Sequence, residues 1–106
     1  MAQEYPSLTP ALRDFIARQH IFFAASAAMD TRINISPRST REFRVLGDNE
    51  ACWLDLTGSG AETAAHMKAD GRLTIMFCAF EGPPNILRLY VRGEILHRDS
   101  AEFARV

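Results

Sequence analysis

A chain of 106 residues with 47% hydrophobic and 24% charged side chains has the composition of one ordinary globular domain, and we expect residues 1–106 to form that single domain. Its formal net charge of −1 provides no global field to attract nucleic acid or an anionic membrane, and no basic run alternates with aromatic residues. No stretch approaches the roughly eighteen apolar residues of a membrane span, and the N-terminus does not resemble a signal peptide, so a cytoplasmic location is expected.

Helix and strand signals alternate along the chain. Thr9 is a favoured N-cap and Pro10 fits the first helical turn, so a helix is predicted to begin there. Ile33 and Ile35 alternate with polar residues, and Pro37, which lacks an amide donor, must end that strand or lie at a sheet edge. In chain order, the predicted elements are a helix over 10–19, strands over 21–28, 32–36, 43–46 and 51–56, a helix over 60–70, and strands over 73–80 and 86–97.

The stretch from Trp53 to Arg72 combines a strand, a glycine-rich turn and a capped helix. Ser59 and Glu62 form an S-x-x-E capping box, and Gly71 supplies the left-handed stop. A small-residue turn that leads into a helix N-terminus presents free N–H groups and the positive end of the helix dipole, which suits a phosphate. The turn matches neither a dinucleotide fingerprint nor a P-loop, so on local grounds it is either an anion site or a well-capped connection.

The last strands indicate the architecture. Residues 73–80 are apolar on both faces, as in a strand covered on both sides, and a second subunit would supply one cover. Gly93 is expected to mark a bend or bulge. A further capping box begins at Asp99 but the sequence stops at Val106, so the chain is expected to be either a minimal version of the fold or one without its C-terminal part. Six short strands with a helix after the fourth predict a mainly β fold, a small antiparallel barrel with flanking helices.

Several motifs in a fixed order resemble those of the pyridoxamine 5′-phosphate oxidase-like flavoproteins. They are R-I-N-I-S-P-R, F-R-V-L, L-D-L-T-G-S-G-A-E-T-A-A-H and the strand pair over 72–94. The resemblance covers about residues 5–98. It implies a six-stranded antiparallel split barrel, and a homodimer with FMN in the cleft between the subunits. It also implies that two elements hold the FMN phosphate, with Asn34, Ser36 and Arg38 in the first and Thr57, Ser59, Glu62 and Thr63 in the second.

The chain departs from the family pattern where the phosphate would bind. The archetypal oxidase has Ser-Arg-Lys leading into the helix, whereas this chain has Glu62-Thr63-Ala64. A cation must therefore come from elsewhere. Arg38 and Arg41 are nearest in sequence, and Arg72 or Arg92 would be available in a dimer. We favour Arg38, because a planar guanidinium suits bidentate contact with phosphate.

Other residues that often take part in chemistry have simpler interpretations here. His66 lacks a Cys or Asp at the spacing of a metal site or a catalytic pair, so a packing or surface histidine is expected and no metal is predicted. Trp53 and Tyr90 either contact an isoalloxazine ring or belong to the core or a dimer interface. Cys52 and Cys78 lie in apolar runs and are expected to be buried, reduced thiols.

Three functions remain open at this stage. The first is an FMN-dependent oxidoreductase, in which the flavin transfers hydride or electrons and no side chain need be catalytic; NAD(P)H or another small redox molecule would be its partner. The second is a flavin-binding sensor or carrier without turnover. The third is a truncated barrel without a ligand. Deazaflavin or haem in the same cleft is an alternative to FMN.

Overall fold

The computed structural model describes residues 3–54, 60–69 and 71–96, and the side chains of the second helix from residue 65 onward. Six antiparallel strands and two α-helices are present over these residues, which confirms the predicted mainly β split barrel. The elements in chain order are α1 (Pro10–Arg18), β1 (Ile21–Ser26), β2 (Asn34–Ser39), a single 3₁₀ turn (Thr40–Glu42), β3 (Phe43–Gly47), β4 (Glu50–Trp53), α2 (Gly60–Ala69), β5 (Arg72–Cys78) and β6 (Ile86–Arg92).

The strands form two sheets. Four of them pair in the order β2-β1-β5-β6, so β2 and β6 are the edge strands of that sheet, while β3 and β4 form a separate hairpin. Within the four-stranded sheet, Ala24 of β1 lies opposite Ser36 of β2 and Ile75 of β5, and Ile75 lies opposite Leu89 of β6. These four side chains share the inner face of the sheet, because residues that lie opposite one another project from the same side.

An aromatic cluster joins the two sheets and forms the centre of the core. Phe22 of β1 and Phe77 of β5 are fully buried and contact each other at a tilt, and both rings contact Phe43 of β3 in edge-on geometry. Trp53 of β4 packs edge-on against Phe22 with ring centroids 5.3 Å apart. Such contacts add to the hydrophobic burial of the rings. Trp53 is thus a core residue, which agrees with one of its two predicted roles.

Helix α1 begins as the sequence predicts. The side chain of Thr9 accepts a hydrogen bond from the amide of Leu12, at 3.2 Å. Phe15 and Ile16 are the buried residues of the helix and close one end of the core. The guanidinium of Arg13 forms an ion pair with Asp48 at 2.6 Å, and this contact fixes the helix against the β3–β4 turn.

Several strand boundaries differ from the predicted ones. Strand β2 continues through Pro37 to Ser39, which it can do because it is an edge strand. Strand β1 ends at Ser26, because the chain turns where the Thr31 hydroxyl accepts a hydrogen bond from the Ala28 amide. Strand β4 ends at Trp53, where the prediction ran to residue 56; residues 55 and 56 are outside the described part of the chain.

Strand β5 is buried on one face, at Leu73, Ile75 and Phe77, and only half-buried on the other. Within the single chain the outer face has no full cover, and the predicted cover from a second subunit stays a prediction. Cys52 and Cys78 are likewise half-buried, where the sequence suggested buried thiols, and both are free. Each lies on a strand face that the inner core does not cover. The second predicted capping box, at residues 99–102, lies outside the described residues.

Gly93 ends β6, where a bulge and a longer strand were predicted. Its amide donates a hydrogen bond to the Gly71 carbonyl at 2.7 Å, which continues the register of β5 with β6 by one residue, and Gly93 lies close to Met67 of α2. A Cβ atom at this position would clash with the sulfur of Met67 and come within 3.3 Å of a Leu73 methyl group. The absence of a side chain therefore permits the close approach of this segment to α2.

Gly93→Ala should lower the free energy of unfolding by about 1–3 kcal/mol, because the buried Met67 side chain must move to admit the new methyl group. Urea denaturation monitored by tryptophan fluorescence would measure this loss. Gly47→Ala is the matched control: a Cβ atom there meets nothing within 4 Å, so stability should change by less than about 0.5 kcal/mol. Equal effects of the two substitutions would contradict the packing argument.

Candidate functional site

Strand β2 turns its polar side chains inward and its apolar ones outward. Ser36 is 2% exposed, and Asn34 and Arg38 are half-buried, whereas Ile35 and Pro37 are exposed. We call Asn34, Ser36 and Arg38 the polar row. This orientation is the reverse of that in an ordinary surface strand, where isoleucine would face the core. A buried polar row requires hydrogen-bonding partners, and it is therefore the first candidate for a ligand site.

The register with β1 places the polar row beside small or aromatic neighbours. Asn34 lies opposite Ser26, Ser36 opposite Ala24, and Arg38 opposite Phe22. Ala24, opposite Ser36, is small and fully buried. Its Arg38 end lies next to the aromatic cluster. The row therefore combines a cation, a hydroxyl and an amide along one inner surface.

Ser36 gives the strongest indication that the polar row binds a ligand. Its Oγ atom is buried and has no hydrogen-bond partner among the residues that the structure describes. Leaving a buried hydroxyl unsatisfied costs about 1–3 kcal/mol, so such groups in folded proteins usually have a partner. The Nε and Nη2 atoms of Arg38, two residues along the same face, are also buried. A hydroxyl donor beside a buried guanidinium fits an oxygen-rich anion, and a phosphate has the right chemistry.

Helix α2 packs on the inner side of β1, β2 and β5, next to this row. The helix begins at Gly60 and is stopped by Gly71 as predicted: Gly71 has a φ of +86°, and its amide donates to the His66 carbonyl at 3.1 Å. His66 is 3% exposed, and its Nδ1 atom lies 2.8 Å from the hydroxyl of the buried Ser26. Of the two interpretations offered for His66, packing or surface, the structure supports packing.

The seven predicted site residues fall into two groups. Asn34, Ser36 and Arg38 lie together on one face of β2, as a shared role requires. The other four belong to the turn and helix start. Thr57 and Ser59 lie outside the described residues, and Glu62 and Thr63 lie in α2, where the structure describes no side chains before residue 65. The capping box and the roles of these four residues stay predictions.

The alternative cations lie on other surfaces. Arg41 is in the exposed 3₁₀ turn. Arg72 and Arg92 lie directly opposite each other on β5 and β6 and are exposed. Arg38 is therefore the candidate among these four whose guanidinium reaches the interior of the chain.

Sequence reasoning did not connect Ser26 with the site. The signal that places it there is its partner, His66, which is forty residues away in sequence. Only the pairing of β1 with β2 and the packing of α2 on β1 bring the two side chains together. No local spacing rule contains that information.

The outer face of the four-stranded sheet is apolar and open. Ile35 is 65% exposed, Ile86 56% and Tyr90 77%, and Ile33 just before β2 is 74% exposed. Ile35, Ala25, Thr74 and Tyr90 form one continuous row across the four strands. Tyr90 is thus not a core residue, which leaves its predicted roles at a ring or an interface. A patch of this kind is typical of an interaction surface.

Two further features bear on function. The helices described here include none that is long and apolar enough to cross a membrane. Over residues 3–54, 60–69 and 71–96, no three His, Cys, Asp or Glu side chains are grouped so that they would hold a metal ion. Among the described residues, the buried polar side chains are Ser36 of the polar row and the neighbouring pair Ser26 and His66.

Comparison with known proteins identifies the family in which this arrangement occurs. Residues 8–106 match the family model described as pyridoxamine 5′-phosphate oxidase. The chain belongs to the pyridoxamine 5′-phosphate oxidase family. This confirms the resemblance seen in its motifs.

Within the pyridoxamine 5′-phosphate oxidase family, the chain is similar to the family protein ustO of Aspergillus flavus. The two are 40% identical over 103 residues, which cover 94% of this chain and 41% of ustO. The chain thus spans less than half the length of this curated relative. Among solved structures, it is similar to HutZ, described as the heme storage protein of Vibrio cholerae, with a TM-score of 0.68 and 18% identity over 93% of this chain and 70% of HutZ. At that identity the likeness shows a shared fold.

Proposed function

We propose that this family member binds FMN, works as a homodimer and serves as an FMN-dependent oxidoreductase. The observation that carries the proposal is the inward-facing polar row, above all the buried Ser36 hydroxyl without a partner among the described residues. Bound FMN would supply the hydride or electron transfer. The chain's own residues would bind and orient it, which requires no catalytic side chain.

The polar row fits the FMN phosphate better than it fits a neutral ligand. Arg38 would provide the positive charge that the family archetype draws from an Arg-Lys pair, since Glu62-Thr63-Ala64 stands at the equivalent position here. The Ser36 hydroxyl would donate one hydrogen bond, and the Asn34 amide is placed to donate another from the same face. Charge-assisted hydrogen bonds of this kind are about twice as strong as neutral ones.

A spectral titration tests the proposal. The purified protein is mixed with FMN, deazaflavin and haem in separate experiments, and flavin fluorescence or the Soret band reports binding. We expect saturable binding of FMN with one site per chain. Haem is included because the structural neighbour HutZ is described as a heme storage protein. Binding of haem or deazaflavin with no binding of FMN would overturn the cofactor assignment.

A flavin carrier or sensor without turnover is the second candidate. It is favoured by the absence of the archetypal Arg-Lys pair at 62–64. Anaerobic addition of NADPH to the FMN complex separates the two functions. Bleaching of the flavin bands at a rate above that of free FMN supports the oxidoreductase. Unchanged bands with NADPH and with NADH support the carrier.

The open face of the sheet supports the homodimer, and the free thiols of Cys52 and Cys78 are compatible with the reducing cytoplasm. A second copy on this face would cover Ile35, Ile86 and Tyr90 together and would give β5 its second covered side. The face combines large apolar side chains with a flat four-stranded surface. That combination is suited to packing of one sheet on another.

Ile35→Lys should convert the dimer to a monomer at micromolar concentration, because the substitution places a charge in the middle of the buried contact. Sedimentation velocity would show the change as a fall to the mass of one chain. Folding should be unaffected, since the Ile35 side chain is 65% exposed in the single chain. Leu46→Lys, on the β3–β4 hairpin where Leu46 is 41% exposed, is the control and should stay dimeric. A dimeric Ile35→Lys protein would locate the interface elsewhere.

A further inference from the structure

The hydrogen bond between Ser26 and His66 is a buried polar link between α2 and the sheet. Both residues are 3% exposed, and Ser26 Oγ lies 2.8 Å from His66 Nδ1. The bond joins the helix to β1, the strand that lies between β2 and β5. Whichever of the two groups donates the proton, each satisfies a polar atom that would otherwise be buried without a partner.

Few other described contacts hold α2 in place. Of its side chains at residues 65–69, His66 and Met67 are buried, and Ala65, Lys68 and Ala69 are exposed. The helix lacks the broad apolar stripe with which a surface helix usually packs on a core. A flexible thioether fills space but defines orientation poorly, whereas a hydrogen bond between two buried side chains is directional. Among the described side chains of α2, the Ser26–His66 bond is therefore the directional contact that can fix the rotation and position of the helix.

This anchor lies directly beside the polar row. Ser26 is the cross-strand partner of Asn34, the first member of the row, and the two share the inner face. Ser36 follows two residues along that face. Any shift of α2 on β1 would therefore alter the space above the residues to which we assign the FMN phosphate.

We propose that the Ser26–His66 hydrogen bond positions α2 against the polar row and thereby sets the affinity of the site for FMN. The inference rests on the proposed function. His66 and Ser26 act here through α2 and are positioning residues; neither need touch the cofactor. The pair would couple the affinity for the cofactor to the placement of α2.

A double-mutant cycle on the full chain tests this coupling. Ser26→Ala and His66→Leu should each raise the dissociation constant for FMN about tenfold, and the double variant should be no worse than either single one, because both remove the same bond. His66→Asn can place an amide near the position of Nδ1 and should bring the dissociation constant back to within about threefold of the parent value. The ³¹P resonance of bound FMN should shift in the Ala and Leu variants and return in the Asn variant.

Met67→Ala separates positioning from general loosening of α2. It removes apolar packing from the same helix and leaves the Ser26–His66 bond intact, so it should reduce stability with less than a threefold effect on FMN affinity. Three outcomes would overturn the inference: multiplying effects on the dissociation constant in the double variant, no recovery of affinity in His66→Asn, or unchanged affinity in all variants. In each of these cases, FMN binding by the parent protein would still uphold the proposed function. A parent protein that fails to bind FMN overturns both.

Discussion

Arg38→Ala should raise the dissociation constant for FMN about 100-fold. The substitution removes the inward-facing guanidinium of the polar row, and loss of a buried charged partner in a recognition site typically costs about 2–5 kcal/mol. Since about 1.4 kcal/mol corresponds to a tenfold change, a 100-fold effect lies at the lower end of that range. Fluorescence titration with FMN measures it. Riboflavin, which lacks the phosphate, should bind the parent and the variant with similar affinity.

Two variants control this result. Arg38→Lys keeps the charge and loses the planar fork, so its affinity should fall between those of the parent and the alanine variant. Ser36→Ala removes a buried hydroxyl that has no partner among the described residues, so it should leave stability unchanged or slightly raised while weakening FMN about tenfold. Equal losses of FMN and riboflavin affinity in Arg38→Ala would show that Arg38 supports the site without contacting the phosphate.

Phe22→Ala should remove about 3–5 kcal/mol from the free energy of unfolding. The ring is fully buried and contacts Phe43, Trp53 and Phe77, so its loss would open a cavity between the two sheets. Small domains have about 5–15 kcal/mol of stability in total, and this variant would therefore be close to unfolding at 37 °C. Chemical denaturation followed by circular dichroism at 15 °C gives the measurement.

Phe80→Ala is the matched control for this loss. It deletes the same side chain at a position that is 65% exposed, after the end of β5, and should change stability by less than about 0.5 kcal/mol. Phe22→Leu keeps most of the volume and should cost roughly 1 kcal/mol. If Phe22→Ala were as stable as Phe80→Ala, the aromatic cluster would not be the connection between the sheets.

Local signals were sufficient to predict most of the fold. Thr9 and Pro10 defined the start of α1, and Gly71 defined the end of α2, because caps depend on residues within one helical turn. The alternation of Ile33 and Ile35 with polar residues predicted a strand with two unlike faces. The motifs that resemble the family supplied the split-barrel architecture, which no local pattern contains.

The sequence did not show which face of β2 is inside. That choice depends on the pairing of β2 with β1, where Ala24 and Ser26 line the interior beside Ser36 and Asn34. The sequence likewise did not show where β6 ends, because that end is determined by the approach of Gly93 to Gly71 and Met67, which are distant in sequence. The burial of His66 follows from a partner forty residues away. In each case the deciding contact is tertiary, and no propensity or spacing rule describes it.

Pro37 has a consequence for how copies of this protein associate. It lies in the middle of β2, at the open edge of the four-stranded sheet, and a proline there cannot donate the amide hydrogen that an added strand would accept. A foreign strand would meet an interrupted ladder, so growth of the sheet sideways into a fibril is disfavoured. The neighbouring side chains of Ile33 and Ile35 are nevertheless exposed and apolar, and they lie on the outer face of the sheet, perpendicular to that edge. At this edge, the strand is therefore better suited to the proposed face-to-face pair than to open-ended polymerisation.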